Sequence, residues 1–156
     1  MLLSIDPGKT IGYALFDNDG MVVEYGKKTD YDLEELYSMI RDNKADLAIE
    51  TQFLKNNLHT FEKLVNLRTA LEILTVIQGN VVYRVYPIQW QRWIGIKHKT
   101  KRSEVKRLAK EYVKNALGDI ILTQDTVDAI VIGMYVFANY NRIPVLDKDN
   151  YFEDRR

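Results

Sequence analysis

A chain of 156 residues is the size of one domain and long enough to bury a core, and having no cysteine it excludes disulfides and thiolate metal sites. Basic and acidic residues number 22 each, so net charge excludes no partner, but positions 84–115 hold ten basic residues and two acidic ones, which leaves the remainder acidic. No apolar run reaches the roughly 20 residues of a membrane span, and the apolar part of Met1–Asp6 is too short for a secretory signal; the expectation is a cytoplasmic protein (in a host's cytoplasm if the gene is viral) with no membrane partner.

Leu2–Ile5 reads as a strand closed by a turn at Pro7-Gly8. Thr10–Phe16 and Met21–Tyr25 read as two more, joined by a hairpin turn at Asn18-Asp19-Gly20, so the chain opens as an antiparallel meander. Asp30 is placed to cap a helix over 31–41. Leu47-Ala48-Ile49 is a short apolar run bounded by charges, the pattern of a buried strand. A long helix over 57–77 follows, with Leu58, Phe61, Leu64, Val65, Leu71, Leu74 and Ile77 at three- and four-residue spacing, ended by Gly79-Asn80. Val81–Tyr86 reads as a fifth strand and Ile88–Ile94, with Trp90 and Trp93, as a short helix. After a basic loop over 95–102, Ser103 is placed to cap a helix to Ala116, and a last helix runs from near Thr123 to Tyr140 with Val127, Ile130, Val131, Met134, Tyr135 and Ala138 on one face. This order gives an α/β domain over 1–143 with one mixed sheet, and a charged, loosely held tail over 144–156.

Four acids stand out against this pattern. Asp6 and Glu50 end apolar runs of strand type, and Asp125 and Asp128 lie three apart at the start of the last helix, on one face. Buried carboxylates need a partner. A divalent cation is the obvious one, and Mg²⁺ suits an all-oxygen set without histidine. Two such ions bridged by carboxylates support in-line phosphoryl displacement. Singly, each acid has a plainer explanation: a turn residue, an exposed strand end, or helix-dipole stabilisation.

Ser4–Ala14, Ala48–Phe53 and Gln124–Ile132 together resemble the three acidic motifs of RuvC-like Holliday-junction resolvases, members of the ribonuclease H-like nucleases, in the same order along nearly the whole chain. The resemblance implies a ribonuclease H-like mixed five-stranded sheet flanked by helices, and a homodimer that cuts four-way DNA junctions by paired symmetric nicks. It implies Asp6, Glu50, Asp125 and Asp128 as catalytic metal ligands, with two Mg²⁺ per site and Mn²⁺ able to substitute. Phe53, three residues after Glu50, corresponds to an aromatic near the junction crossover and would stack on a splayed base; core packing is its plain structural alternative. Arg102 matches a basic residue at the start of the helix after the loop. Where the family carries a lysine upstream of that loop, this chain has Gln91 and Arg92. Trp90 and Trp93 are unfamiliar there and read as core or interface residues, with strand separation as the alternative. The family's dimer interface corresponds to the long helix, so Leu58, Phe61, Val65 and Leu71 would face a partner, or else the sheet.

Arg92, Lys97, Lys99, Lys101, Arg102 and Lys106 are the candidate contacts to the phosphates of branched DNA; for such a run the plain alternative is a solvated helix face. His98 could donate to phosphate but reads as an incidental loop residue, and His59 reads as structural. The same fold acting on RNA, an RNA–DNA hybrid or a flap is the first alternative function. A second is a nucleotide binder, because Ile5–Thr10 faintly resembles the first phosphate loop of actin-like and sugar-kinase-like proteins, but the eight glycines form no second phosphate loop. A third is a DNA-binding module with a dead site, which the presence of all four acids argues against.

Overall fold

A computed structural model of the chain describes residues 1–29, 32–51, 58–118, 120, 122–151 and 153. Strands β1 (Leu2–Asp6), β2 (Thr10–Phe16) and β3 (Val22–Thr29) form the expected meander. Its second turn is held by the Asp17 carboxylate, which accepts the Asp19 and Met21 N–H groups at 2.9 Å. Helix α1 (Leu33–Asn43) starts later than expected because Asp32 caps it, accepting the Glu35 N–H at 3.0 Å; the proposed cap Asp30 lies outside the described residues. Then come β4 (Asp46–Glu50), α2 (Leu58–Ile77), β5 (Val82–Val85), α3 (Pro87–Trp93), α4 (Arg102–Leu117), α5 (Gln124–Asn139) and, after a single 3-10 turn, β6 (Val145–Leu146). Ser103 does not cap α4: Lys101 holds that position without a side-chain bond, and Ser103 lies within the first turn.

The strands form one sheet in the order β3-β2-β1-β4-β5-β6, with β1, β4 and β5 parallel and the others antiparallel. It has six strands rather than five because Val145 and Leu146 pair with Tyr83 and Val82. Within the tail expected to be loose, Tyr151 is buried, and its hydroxyl donates to Glu72 at 2.9 Å.

Strand alternation sorts the side chains into two cores. Leu3, Ile5, Leu47 and Ile49 face α1 and α2, joined by Leu36, Ile40, Leu67 and Leu71. Leu2, Ala14, Phe16, Ala48 and Val85 face the opposite layer of α3, α4 and α5. Both faces are covered, which is why β1 and β4 read as continuous apolar runs instead of alternating ones. Helix α5 is buried over most of its circumference, with Val127, Ile130, Val131, Ile132, Gly133 and Val136 enclosed. Of the face expected for it, Ala138 is exposed; the α5 surface that meets the sheet instead includes Gly133 against Phe16, where a Cβ would collide with the ring.

Along α2 the buried positions are Leu64, Leu67, Leu71, Glu72, Thr75 and Val76. Leu71 therefore belongs to the core of its own chain and not to a partner surface. Leu58 and Ile77 are 60% and 63% exposed. No helix among the described residues is long and apolar enough to cross a membrane.

Candidate functional site

Asp6 and Glu50 are neighbours by register. Ile5 pairs with Ile49 in parallel, so the next residue of each strand stands at the same sheet edge. Both follow the alternation of Ser4 and Ala48 and point to the α5 side. Two contacts seat α5 there. The buried Ser4 hydroxyl donates to the Ala129 carbonyl at 2.6 Å. At the other contact β2 passes so close to the first turn of α5 that a Cβ on Gly12 would overlap the Asp125 carbonyl oxygen. The Thr123 hydroxyl caps α5, accepting the Thr126 N–H. Asp125 and Asp128 are thereby aimed at the edge where β1 and β4 end.

All four acids line one open pocket of about 830 Å³, with Gly8, Lys9, Thr10, Phe61, Trp90, Gln91, Thr100, Arg102, Lys106 and Gln124 among its other walls. The electrostatics are those of crowded like charges. Burial and the carboxylates of Glu50, Asp128 and Asp125 push the Asp6 acid well above its ordinary range, and Asp6 shares a side-chain hydrogen bond with Glu50. Burial pushes Asp128 up to about 7; Glu50 and Asp125 add to this, while a hydrogen bond from Gln124 (2.9 Å) and the nearby Lys106 oppose it. Two carboxyl groups that must share a proton at a strand edge are groups a cation can join instead.

The donor set fits a hard cation: it offers carboxylate oxygens, no imidazole and no thiolate. Among the described residues no three His, Cys, Asp or Glu side chains are already closed around one point as a metal cage. That openness is compatible with Mg²⁺, which keeps several waters and takes part of its shell from substrate phosphates.

The basic candidates divide. Arg102 and Lys106, one turn apart on α4, line the acidic pocket with Thr100. Arg92, Lys97, Lys99 and Lys101 are exposed but are not part of its wall, and at the α3 position it is Gln91 that faces in. Arg107, Lys110 and Lys114 line a separate depression with Glu111. Phe53 lies outside the described residues.

Sequence reasoning passed over several residues that build the site. Trp90 is buried and its indole N–H donates to Glu50 Oε1 at 2.8 Å. Lys9 stands in the pocket wall beside Asp6, and Gln124 holds Asp128. The one available signal for Trp90 was chemical: a buried indole N–H requires an acceptor.

No protein-family model matches the chain, and no curated protein matches it by sequence. Solved structures do match by fold. Thermus thermophilus RuvC in complex with Holliday junction substrate superposes with a TM-score of 0.71 at 14% identity, over 93% of this chain and 98% of that one. A second Thermus thermophilus RuvC structure gives 0.69 at 15% identity, over 93% and 99%. At such identities the likeness is one of fold, and it extends over essentially the whole of both chains. The RuvC-like architecture expected from three short acidic motifs is the architecture found.

Proposed function

We propose that this chain, folded as RuvC is, acts as a divalent-metal-dependent endonuclease that resolves four-way DNA junctions by paired nicks. The observation that carries this reading is the convergence of Asp6, Glu50, Asp125 and Asp128 on one pocket at the edge of a RuvC-like sheet. In it, these four residues hold Mg²⁺. Bound there, the metal would supply activation of a water nucleophile and stabilisation of the leaving oxygen. The chain's own part is to place four carboxylates on rigid elements and to draw the scissile phosphate towards them with Arg102, Lys106 and Lys9. The loop cations Lys97, Lys99 and Lys101, with Arg92 on α3, extend the positive surface for the arms of the junction, where contacts give affinity without sequence information. The resemblance assigns Phe53 the stacking of a base at the crossover.

Paired nicks in a two-fold junction call for two sites related by a two-fold axis. The reading therefore includes a homodimer through α2, whose Leu58 and Ile77 are exposed in the single chain.

The test is cleavage of an immobile four-way junction, a linear duplex and an RNA–DNA hybrid in parallel, each with Mg²⁺ and with EDTA. Paired Mg²⁺-dependent nicks in the junction alone are expected. Asp6→Asn should lower that rate more than about 100-fold, beyond what loss of an outer-shell partner costs, while junction binding survives. Cleavage of the hybrid instead would move the substrate to RNA, and full activity in Asp6→Asn would remove the site.

A further inference from the structure

Glu50 reaches the pocket from a strand end, where a glutamate has three side-chain torsions to fix before its carboxylate has one orientation. The fold fixes it from beneath. Val85 pairs with Glu50 across the parallel β4–β5 ladder, and the Thr51 N–H donates to the Val85 carbonyl at 2.7 Å. The chain leaves β5 and turns at once into α3: Pro87 occupies the first helical position, and the Gln89 side chain accepts the Tyr86 N–H at 2.7 Å. One turn later α3 brings Trp90 under Glu50. The indole is 2% exposed and packed in the core with Val85, Ile96, Ala109 and Val113, so it has no freedom to follow a carboxylate that swings away.

The bond has a chemical direction. An indole N–H only donates and does not titrate, so at 2.8 Å it saturates one lone pair of Glu50 Oε1 and turns the rest of the carboxylate outwards, to the pocket. We infer that Trp90 is a positioning residue for the metal site: through its indole N–H it locks Glu50 in the orientation that receives the cation. This rests on the metal-binding reading above. A tryptophan that only filled the core would need its ring but not its N–H.

The experiment separates these. Mn²⁺ alone is titrated into the protein and its binding read by electron paramagnetic resonance, for wild type, Trp90→Phe, Trp93→Phe and Asp6→Asn. Trp93 packs edge-on against Tyr112 and Tyr135 and is not part of the acidic pocket's wall, and its replacement controls for lost core volume. Trp90→Phe is expected to weaken Mn²⁺ binding about 10–100-fold, the usual effect of removing a partner that orients a metal ligand, with Trp93→Phe unchanged. Unchanged affinity in Trp90→Phe, where wild type binds and Asp6→Asn does not, overturns the positioning role alone. Absence of binding in wild type, or equal binding in Asp6→Asn, overturns the metal reading beneath it.

Should Trp90→Phe fail to fold, the two indole N–H resonances of the wild type in ¹H–¹⁵N spectra decide. Mg²⁺, and separately Glu50→Gln, should each move the Trp90 resonance and leave that of Trp93 in place. A Trp90 resonance that responds to neither overturns the inference.

Discussion

Glu72 and Asp6 are both acids drawn into the interior, on opposite faces of the same sheet, and their surroundings differ in kind. Glu72, on α2, is 0% exposed. Arg84 of β5 donates to both of its oxygens at 2.8 Å, the Tyr151 hydroxyl donates at 2.9 Å, and Arg68 lies 3.6 Å away. The charges that shift Asp6 are the carboxylates of Glu50, Asp128 and Asp125, all of its own sign, and the cations of the pocket wall, Lys9, Arg102 and Lys106, do not offset them. A buried charge that meets a bidentate guanidinium is a structural element; it joins α2, β5 and the C-terminal segment. A cluster of acids facing one another in an open pocket opposes folding and is best explained by something that binds there. The lesson is that burial of a carboxylate says little by itself, and the sign of what faces it says a great deal.

The comparison would break most visibly at Arg84. Arg84→Met should strand Glu72 in the core at a cost of about 3 kcal/mol, or roughly 6–12 °C in thermal unfolding for a chain of this size. Junction cleavage per folded molecule, measured well below the transition, should stay at the wild-type rate. Unaltered stability would mean that Arg68 and Tyr151 suffice to hold Glu72.

Asp128→Asn should act in the opposite direction. The folded protein holds Asp128 at about 7 against an ordinary 3.8, so protonated Asp128 is favoured by folding. The stability tied to it is complete below the ordinary value and is lost as pH rises through about 7. Metal-free wild type should therefore unfold at progressively lower temperature as pH is raised from about 4 to about 7. At pH 8 the metal-free Asn variant should be more stable than wild type by up to about 4 kcal/mol, while cleavage is lost. Mg²⁺ should reverse the order by stabilising wild type alone. A variant less stable than wild type without metal would show that Asp128 is held by favourable contacts, like Glu72.

The two regions also differ in how far the sequence disclosed them. The four acids were legible because Asp6 and Glu50 end apolar runs and Asp125 and Asp128 stand where one begins, and an apolar run covered on both faces has a clear length. Glu72 sits inside a helix whose apolar and polar residues are mixed round its circumference with no dominant face, so nothing in its spacing distinguished an inward acid from an outward one. For the same reason periodicity could not choose the face of α2, and Leu71 was open to a partner surface when it lies in the core. The bond from Trp90 to Glu50 joins positions forty residues apart and exists only because β4 and β5 pair. Two residues of β6 carry no pattern at all; their strand character comes from the edge of β5. What remained hidden was in each case set by tertiary pairing, which local pattern does not encode.

The smallest expected effect concerns the basic helix α4, where the same contrast of matched and unmatched charge recurs at the surface. Arg107 donates to Glu104 at 2.9 and 2.7 Å and to Glu111 at 2.8 Å, so its charge is answered within its own helix. Lys110 and Lys114 share its side, along the separate depression, while Arg102 and Lys106 turn to the acids. If only the second pair meets the scissile phosphate, Lys106→Ala should reduce the slope of log binding constant against log salt concentration for a four-way junction by about 1, and Lys110→Ala should leave it as it was. Equal reductions from both would mean that DNA wraps α4 on two sides. A reduction from Lys110→Ala alone would place the DNA on the far side of the helix from the carboxylates, and no orientation of a bound junction would then bring its backbone to Asp6.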